Sequence, residues 1–223
     1  METLKWHWRS LPIRCENMNY HVVDHPLVRV RVSVLRDRDT GLELFRRTLR
    51  ELSTLVAYEA LRDLAESPET IETPLASCPG AVLQRKIIIM PILRAGLGMA
   101  EAVSEMLPEA AIGHIGMYRD EQTLLPQEYL LRIPPNVEDA EVLVVDPMLA
   151  TGNSAAAALD RLKKAGATRL RLICLVGCAD GVQQISKCHP DVPVFLAALD
   201  AGLNEHGYIM PGLGDAGDRY YGT

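Results

Sequence analysis

Val142-Leu143-Val144-Val145-Asp146-Pro147-Met148-Leu149-Ala150-Thr151-Gly152-Asn153-Ser154 is the stretch on which the fold turns. Four apolar residues make a buried strand, an acid stands at its end, and small residues then open onto Ala155 to Ala158, Leu159 and Leu162, which step as a helix does. A turn of this kind aims unpaired backbone N–H groups, with the hydroxyls of Thr151 and Ser154, at one point where the helix dipole also favours an anion. That geometry suits a phosphate. The same Thr, Asn and Ser also serve as ordinary helix caps, and the residues alone leave both readings open. It is not a Walker A loop, which needs a Lys directly after its second Gly.

Working outward, further apolar β-rich runs occur at Ile87-Ile88-Ile89, Ile112 to Met117, Leu170 to Val176 and Val194 to Leu199. Helix-length stretches lie between them at Gly98 to Met106, Ser154 to Ala165 and Gly181 to Cys188. Alternation of this sort predicts an α/β fold, a central parallel sheet whose right-handed crossovers cover both faces with helices. Leu42, Phe45, Leu49, Leu52, Val56 and Ala60 predict one long amphipathic helix, ending before Pro68, that lies on the sheet. Thr70 to Gln84 is rich in Pro, Ser and Gly and reads as irregular or hairpin structure. Residues 1 to 20 follow neither period and are expected to form an extension, with 21–223 as one domain.

The 223 residues are 48% hydrophobic and 23% charged, enough for a real core. Lys plus Arg number 23 against 29 Asp plus Glu, a formal charge of −6, which speaks against a general nucleic-acid binder while leaving room for a local anion site. No apolar run is long enough to cross a bilayer, and the first residues carry no apolar signal segment, so no membrane partner and a cytoplasmic location are expected. Five scattered cysteines, Cys15, Cys78, Cys174, Cys178 and Cys188, read as reduced thiols. Cys174, Cys178 and Cys188-His189 lack the paired spacing of a zinc site, and Cys174 sits in an apolar run as a small hydrophobe.

In open α/β sheets ligands bind beyond the carboxyl ends of the strands. Besides the Asp146 loop, two other junctions stand out. Ile87 to Leu93 leads into Arg94-Ala95-Gly96-Leu97-Gly98, where small neighbours let a ligand approach the backbone and a guanidinium is able to fork two phosphate oxygens. Gly116-Met117-Tyr118-Arg119-Asp120-Glu121 turns charged after an apolar run and reads as an exposed arm; Arg119 is either a second phosphate contact or a solvated surface arginine. Gly96-Leu97-Gly98 lacks the third glycine of a dinucleotide loop. Gly212-Leu213-Gly214-Asp215-Ala216-Gly217 has all three but no room for a βαβ unit after it.

With these loops, the tail Gly202-Leu203-Asn204-Glu205-His206-Gly207-Tyr208-Ile209-Met210-Pro211-Gly212-Leu213-Gly214-Asp215-Ala216-Gly217-Asp218-Arg219 makes the chain resemble the uracil phosphoribosyltransferase family from about Asp24 to Thr223. Asp24-His25-Pro26-Leu27-Val28 and Leu35-Arg36-Asp37 are similar to its N-terminal segment. The resemblance implies a type I phosphoribosyltransferase fold, with a parallel sheet and a small C-terminal hood. It implies formation of UMP and diphosphate from uracil and 5-phospho-α-D-ribose 1-diphosphate. It further implies a homo-oligomer, dimer or tetramer, and GTP binding as a family property.

By the same resemblance, Arg94, Arg119, Asp146 and Asp215 are the catalytic positions. Arg94 and Arg119 grip the sugar diphosphate, and Asp146, Pro147, Met148, Leu149, Ala150, Thr151, Gly152, Asn153 and Ser154 form its ribose 5-phosphate loop. Ile209, Gly214, Asp215 and Ala216 meet uracil, Asp215 touching the sugar diphosphate as well. Mg²⁺ is expected to arrive with the substrate, held mainly by substrate oxygens and water with no dedicated protein cage. Pro147 after Asp146, in place of a second acid, is usual in the uracil branch. Asn153 stands where many bacterial members have Gly, which favours one rival, a nucleotide-sensing regulator on the same fold with little or no catalysis; a second rival is a phosphoribosyltransferase for another base.

Overall fold

The structure, a computed structural model, describes residues 18–119 and 126–223. Strand β1 (Tyr20–Val22), helices α1 (Pro26–Arg36) and α2 (Leu42–Ala60) and the hairpin β2 (Glu66–Glu72) and β3 (Ser77–Leu83) come first. There follow β4 (Ile87–Leu93), α3 (Leu97–Met106), β5 (Ala111–Ile112), β6 (His114–Arg119), β7 (Pro126–Arg132), β8 (Glu141–Val145), β9 (Met148–Leu149) and α4 (Asn153–Lys164). Then come β10 (Leu170–Cys178), α5 (Ala179–Cys188), β11 (Val194–Asp200), β12 (Gly202–Leu203), β13 (Ile209–Met210) and α6 (Ala216–Tyr221).

The main sheet runs β1-β11-β10-β8-β4-β6-β7, with β5 beside β4 and β9 beside β10, and among these pairings only β6 with β7 is antiparallel. Its central strands β4, β8 and β10 are apolar but for Glu141 and Arg171 near their starts, because both faces are covered. Ile87, Ile89, Leu143, Val145, Ile173 and Leu175 pack in one core with the buried faces of α1, α2 and α3, whereas Ile88, Met90, Val142, Val144, Leu172 and Cys174 pack in the other with α4 and α5. The strand period of two thus sorts neighbours onto opposite faces. On α2, Phe45, Leu49, Leu52, Val56 and Ala60 are all buried, as their spacing predicts.

The apolar run Ile112 to Met117 is broken at Gly113, where a Cβ would come within 2.3 Å of the Met90 sulfur and 2.5 Å of the Arg132 carbonyl. Thr70 to Gln84 belongs to a regular antiparallel arm that starts earlier than the composition suggests and pairs Pro68 with Ala81. Tyr20, grouped by sequence with the extension, opens an edge strand paired with β11. Helix α1 buries Val28, Val32 and Leu35, begins with Pro26, and accepts the Leu27 amide on the His25 ring at 3.1 Å. Cys174 and Cys178 are buried while Cys188 is exposed, and among the described residues no three His, Cys, Asp or Glu gather as a metal site. Among those residues, too, no helix is long and apolar enough to cross a membrane.

Candidate active site

The carboxyl ends of β4 and β8 lie side by side, Pro91 paired with Val145, so the loops that follow them are neighbours. After β8 the chain stays tied to β10: the Asp146 amide donates to the Ile173 carbonyl at 3.1 Å, and the Pro147 carbonyl accepts from Leu175 and Val176 at 3.2 and 3.0 Å. The Cys178 thiol donates to the Ala150 carbonyl at 3.1 Å. At Gly152 the backbone turns left-handed, φ 77°, and α4 starts with no side-chain cap; Thr151 Oγ1 reaches only the Asn153 amide, at 3.4 Å. Beyond that long contact, no side chain among the described residues caps the helix. The amides of its first turn face the loop, as helix geometry requires.

Gly152 is needed twice over. Its φ disfavours any side chain, and a Cβ there would sit 2.9 Å from the Gly181 carbonyl of α5. Gly152→Ala is expected to cost about 1–2 kcal/mol from the backbone alone, with a further cost from displacing α5. A urea melt showing no fall in midpoint would contradict this.

Asp146 keeps partial solvent access. Its carboxyl is nevertheless set deep enough that desolvation pushes its pKa up to about 7; the Met148 amide, 3.2 Å away, pulls it down and the charge of Asp215 adds to the rise. Among the described residues no cation draws down the pKa of Asp146, which is poised to gain from hydroxyl donors or from a bound cation.

Arg94 follows a cis Leu93–Arg94 peptide. Its side chain is 65% exposed, with Nη2 3.8 Å from Asp218 Oδ1 and the guanidinium 5.7 Å from the Tyr221 ring centroid. The Tyr221 hydroxyl donates to the Arg94 carbonyl at 3.0 Å. Two residues on, a Cβ at Gly96 would lie 2.4 Å from the Val145 carbonyl, so this loop is pressed against the start of the Asp146 loop. Helix α6 thereby braces the Arg94 loop from the tail.

Within the tail, Ile209 and Ala216 are buried and Gly214 is exposed with φ 80°. Asp215 is exposed and caps α6, its Oδ1 accepting the Asp218 amide at 2.8 Å. Three charged residues to which the sequence reading gave no role hold this segment. Arg36 forks Asp200 at 2.6 and 2.7 Å, both contact Gly212, and Arg219 donates to the Leu213 carbonyl at 2.8 Å and lies over the Phe45 ring at 4.3 Å. Asp200 stands at the end of an apolar run, the same signal that singles out Asp146; Arg36 lies in the Leu35-Arg36-Asp37 segment.

The structure thus gathers the Asp146 loop, Arg94 and the tail with Asp215 at one end of the sheet. Arg119 is the last residue of β6, paired in register with Pro126, on the strand next to β4. Its side chain, and residues 120–125 of the expected arm, lie outside the described residues.

A family model described as uracil phosphoribosyltransferase matches residues 22–223. A Levilactobacillus brevis protein of that name is 50% identical over 92% of this chain and 98% of its own length; one from Rhizobium leguminosarum is 51% identical over 91% and 97%. Among solved structures, the AQ2163 protein of Aquifex aeolicus superposes with a TM-score of 0.87 at 34% identity, over 91% of this chain and 97% of that one. A Trypanosoma brucei adenine phosphoribosyltransferase, 13% identical over 85% and 87%, shares the fold with a TM-score of 0.53.

Proposed function

The chain belongs to the uracil phosphoribosyltransferase family, and from that premise we propose how its residues divide the work of making UMP and diphosphate from uracil and 5-phospho-α-D-ribose 1-diphosphate. The bond from C1 to the diphosphate oxygen breaks, the uracil N1 to C1 bond forms, and the N1 proton is released. The sugar passes through a state with positive charge on its ring while negative charge collects on the departing diphosphate. No covalent nucleophile is needed.

The first-turn amides of α4 with Thr151 and Ser154 hold the 5-phosphate, and Asp146 accepts the ribose hydroxyls. Arg94, the backbone at Ala95 and Gly96, and Arg119 hold the diphosphate. Backbone groups at Ile209, Gly214 and Ala216 read the uracil edge, a donor between two acceptors, which cytosine mispairs. The observation that carries this division is that an uncapped helix start, a largely exposed guanidinium and a pinned tail gather at one end of the sheet, where the charge of Asp215 is felt at Asp146.

Mg²⁺ fits this donor set as a guest of the substrate. Asp146 and Asp215 feel each other's charge and, among the described residues, no larger acidic group stands ready. Magnesium characteristically takes one or two carboxylates and fills its remaining positions with phosphate oxygens and water. When bound, it neutralises charge on the leaving diphosphate. Asp215 keeps one oxygen free of its capping bond for the metal's waters or the diphosphate.

Residues 21–223 are proposed as one domain with the tail as its hood. Assembly into a dimer or tetramer is supported by the apolar arm, where Leu75 is 96% exposed and Ile71 and Val82 nearly half exposed. GTP binding rests on the family alone. A cytoplasmic setting follows from a phosphorylated sugar substrate that does not cross membranes. The regulator reading is not favoured: Asn153 opens α4 without disturbing its start, and relatives about half identical over nine-tenths of the chain carry the enzyme's name.

The test is UMP formation with uracil, and then with cytosine, hypoxanthine and orotate, each with and without a divalent cation. Uracil is expected to exceed cytosine by about 10⁴-fold in kcat/KM, since a fixed hydrogen-bonding edge rejects a mismatched base that strongly, and removing the cation is expected to abolish turnover. Equal use of another base, or no UMP at all, would overturn the proposal.

A further inference from the structure

Arg36 ends α1 and Asp200 ends β11, 164 residues apart in sequence, and they meet under the tail. Only 16% of the Arg36 side chain and 7% of the Asp200 side chain remain exposed. Desolvating two such charges is costly, and an apolar pair of similar size is often as stable or more so. Stability is therefore a poor reason for the pair, and its further contacts point elsewhere.

Asp200 Oδ2 accepts the Gly212 amide at 2.9 Å, and Arg36 Nη1 donates to the Gly212 carbonyl at 2.8 Å. Two successive peptides are thus gripped by one ion pair. Gly212 itself is left-handed, φ 59°, with room for nothing larger: a Cβ would lie 2.1 Å from the Ile209 carbonyl. The Leu213 carbonyl is taken by Arg219, which also donates to the carbonyls of Leu35 and Asp37. The Gly212 amide and carbonyl and the Leu213 carbonyl are thus held, leaving Ile209 on one side and Gly214 to Ala216 on the other to meet a ligand.

We propose that Arg36 and Asp200 are positioning residues for the nucleobase, the buried pair setting the span between Ile209 and Gly214 without touching the base. The inference rests on the assignment of uracil to this tail. A backbone edge discriminates only when its donors and acceptors are held in place before the base arrives. Here the side chains on two remote elements do the holding.

Asp200→Asn, Arg36→Lys and Arg36→Met separate this role from simple support. Steady-state KM for uracil and for the sugar diphosphate is measured well below the melting temperature, with uracil binding to the full chain followed by calorimetry and folding by a thermal melt. Asp200→Asn is expected to raise the uracil KM and the calorimetric Kd about tenfold, the scale of a lost hydrogen bond to a charged group, with the KM for the sugar diphosphate changed less than about twofold. Arg36→Lys, which keeps the charge but on a single donor nitrogen where Arg36 uses two, should fall between wild type and Arg36→Met. Unchanged uracil KM with only a lowered melting temperature would make the pair purely structural and overturn the proposal, as would an equal rise in both KM values. Should the methionine variant fail to fold, the asparagine and lysine variants decide by the same criteria. A wild-type chain that makes UMP while Asp200→Asn binds uracil normally defeats this inference alone; a wild-type chain that neither makes UMP nor binds uracil defeats the parent assignment and this one with it.

Discussion

Arg94→Ala is expected to lower kcat by about 10²–10³-fold, the usual loss when one preorganised donor to a departing anion is removed, while the uracil KM moves less than about threefold. The guanidinium is largely exposed and, among the described residues, makes a long ion pair to Asp218 and a ring contact to Tyr221, so it is free to turn to the diphosphate. For the same reason the fold does not depend on it, and the melting temperature should stay within about 2 °C, as for other surface substitutions. Single-turnover measurements separate the two effects. A full rate in the variant would remove Arg94 from catalysis.

Asp146→Asn is expected to do opposite things to binding and to stability. Losing the carboxylate should weaken sugar-diphosphate binding about tenfold or more, because hydrogen bonds between its hydroxyls and a charged acceptor are the stronger kind. Yet this acid is held up near pKa 7 from an ordinary value of 3.8, chiefly by burial. A carboxyl with a raised folded-state pKa stabilises the fold relative to its ionised form only at low pH. That benefit is full below about pH 4 and lost as pH climbs through about 7. Above that, the wild-type fold carries the cost of a buried charge. Asparagine keeps the acceptor for the Met148 amide without the charge, so the variant should melt higher than wild type at pH 8 and equally below pH 4. Even about 1 kcal/mol of relief corresponds to about 2–4 °C at this chain length. Parallel melts at the two pH values, beside calorimetry with the sugar diphosphate, check both halves; a variant less stable at pH 8, or one that binds normally, would contradict the role given to this residue.

The sheet was legible because its signal is local. Ile87 to Ile89 and Val142 to Val145 are apolar without interruption, which only a strand covered on both faces tolerates, and the long helix announces itself by the step from Phe45 to Leu49 to Leu52 to Val56. Two loops of the site were legible by the same means, as polar residues placed directly after buried strands. Helix α1 was harder to read, because Arg29 and Arg31 interrupt an apolar stripe of only Val28, Val32 and Leu35. What holds the tail was not legible at all, since nothing local to Arg36, Asp200 or Gly212 says that they will meet. Asp215 shows the remaining limit. Its capping of α6 follows from the fold, whereas its part in catalysis is carried by family resemblance.

The way in which the tail is held bears on any attempt to redirect the enzyme to a different pyrimidine. On the proposed assignment of uracil to the tail, a pocket wall made of peptide groups offers few side chains to exchange, so libraries of point substitutions at Ile209 or Ala216 would mostly vary bulk and leave the donor–acceptor code intact. A new preference calls instead for rerouting the main chain, by lengthening or shortening the turn around Pro211 to Leu213 together with its two remote anchors. Substrate choice in this molecule is thereby well insulated from single-codon drift.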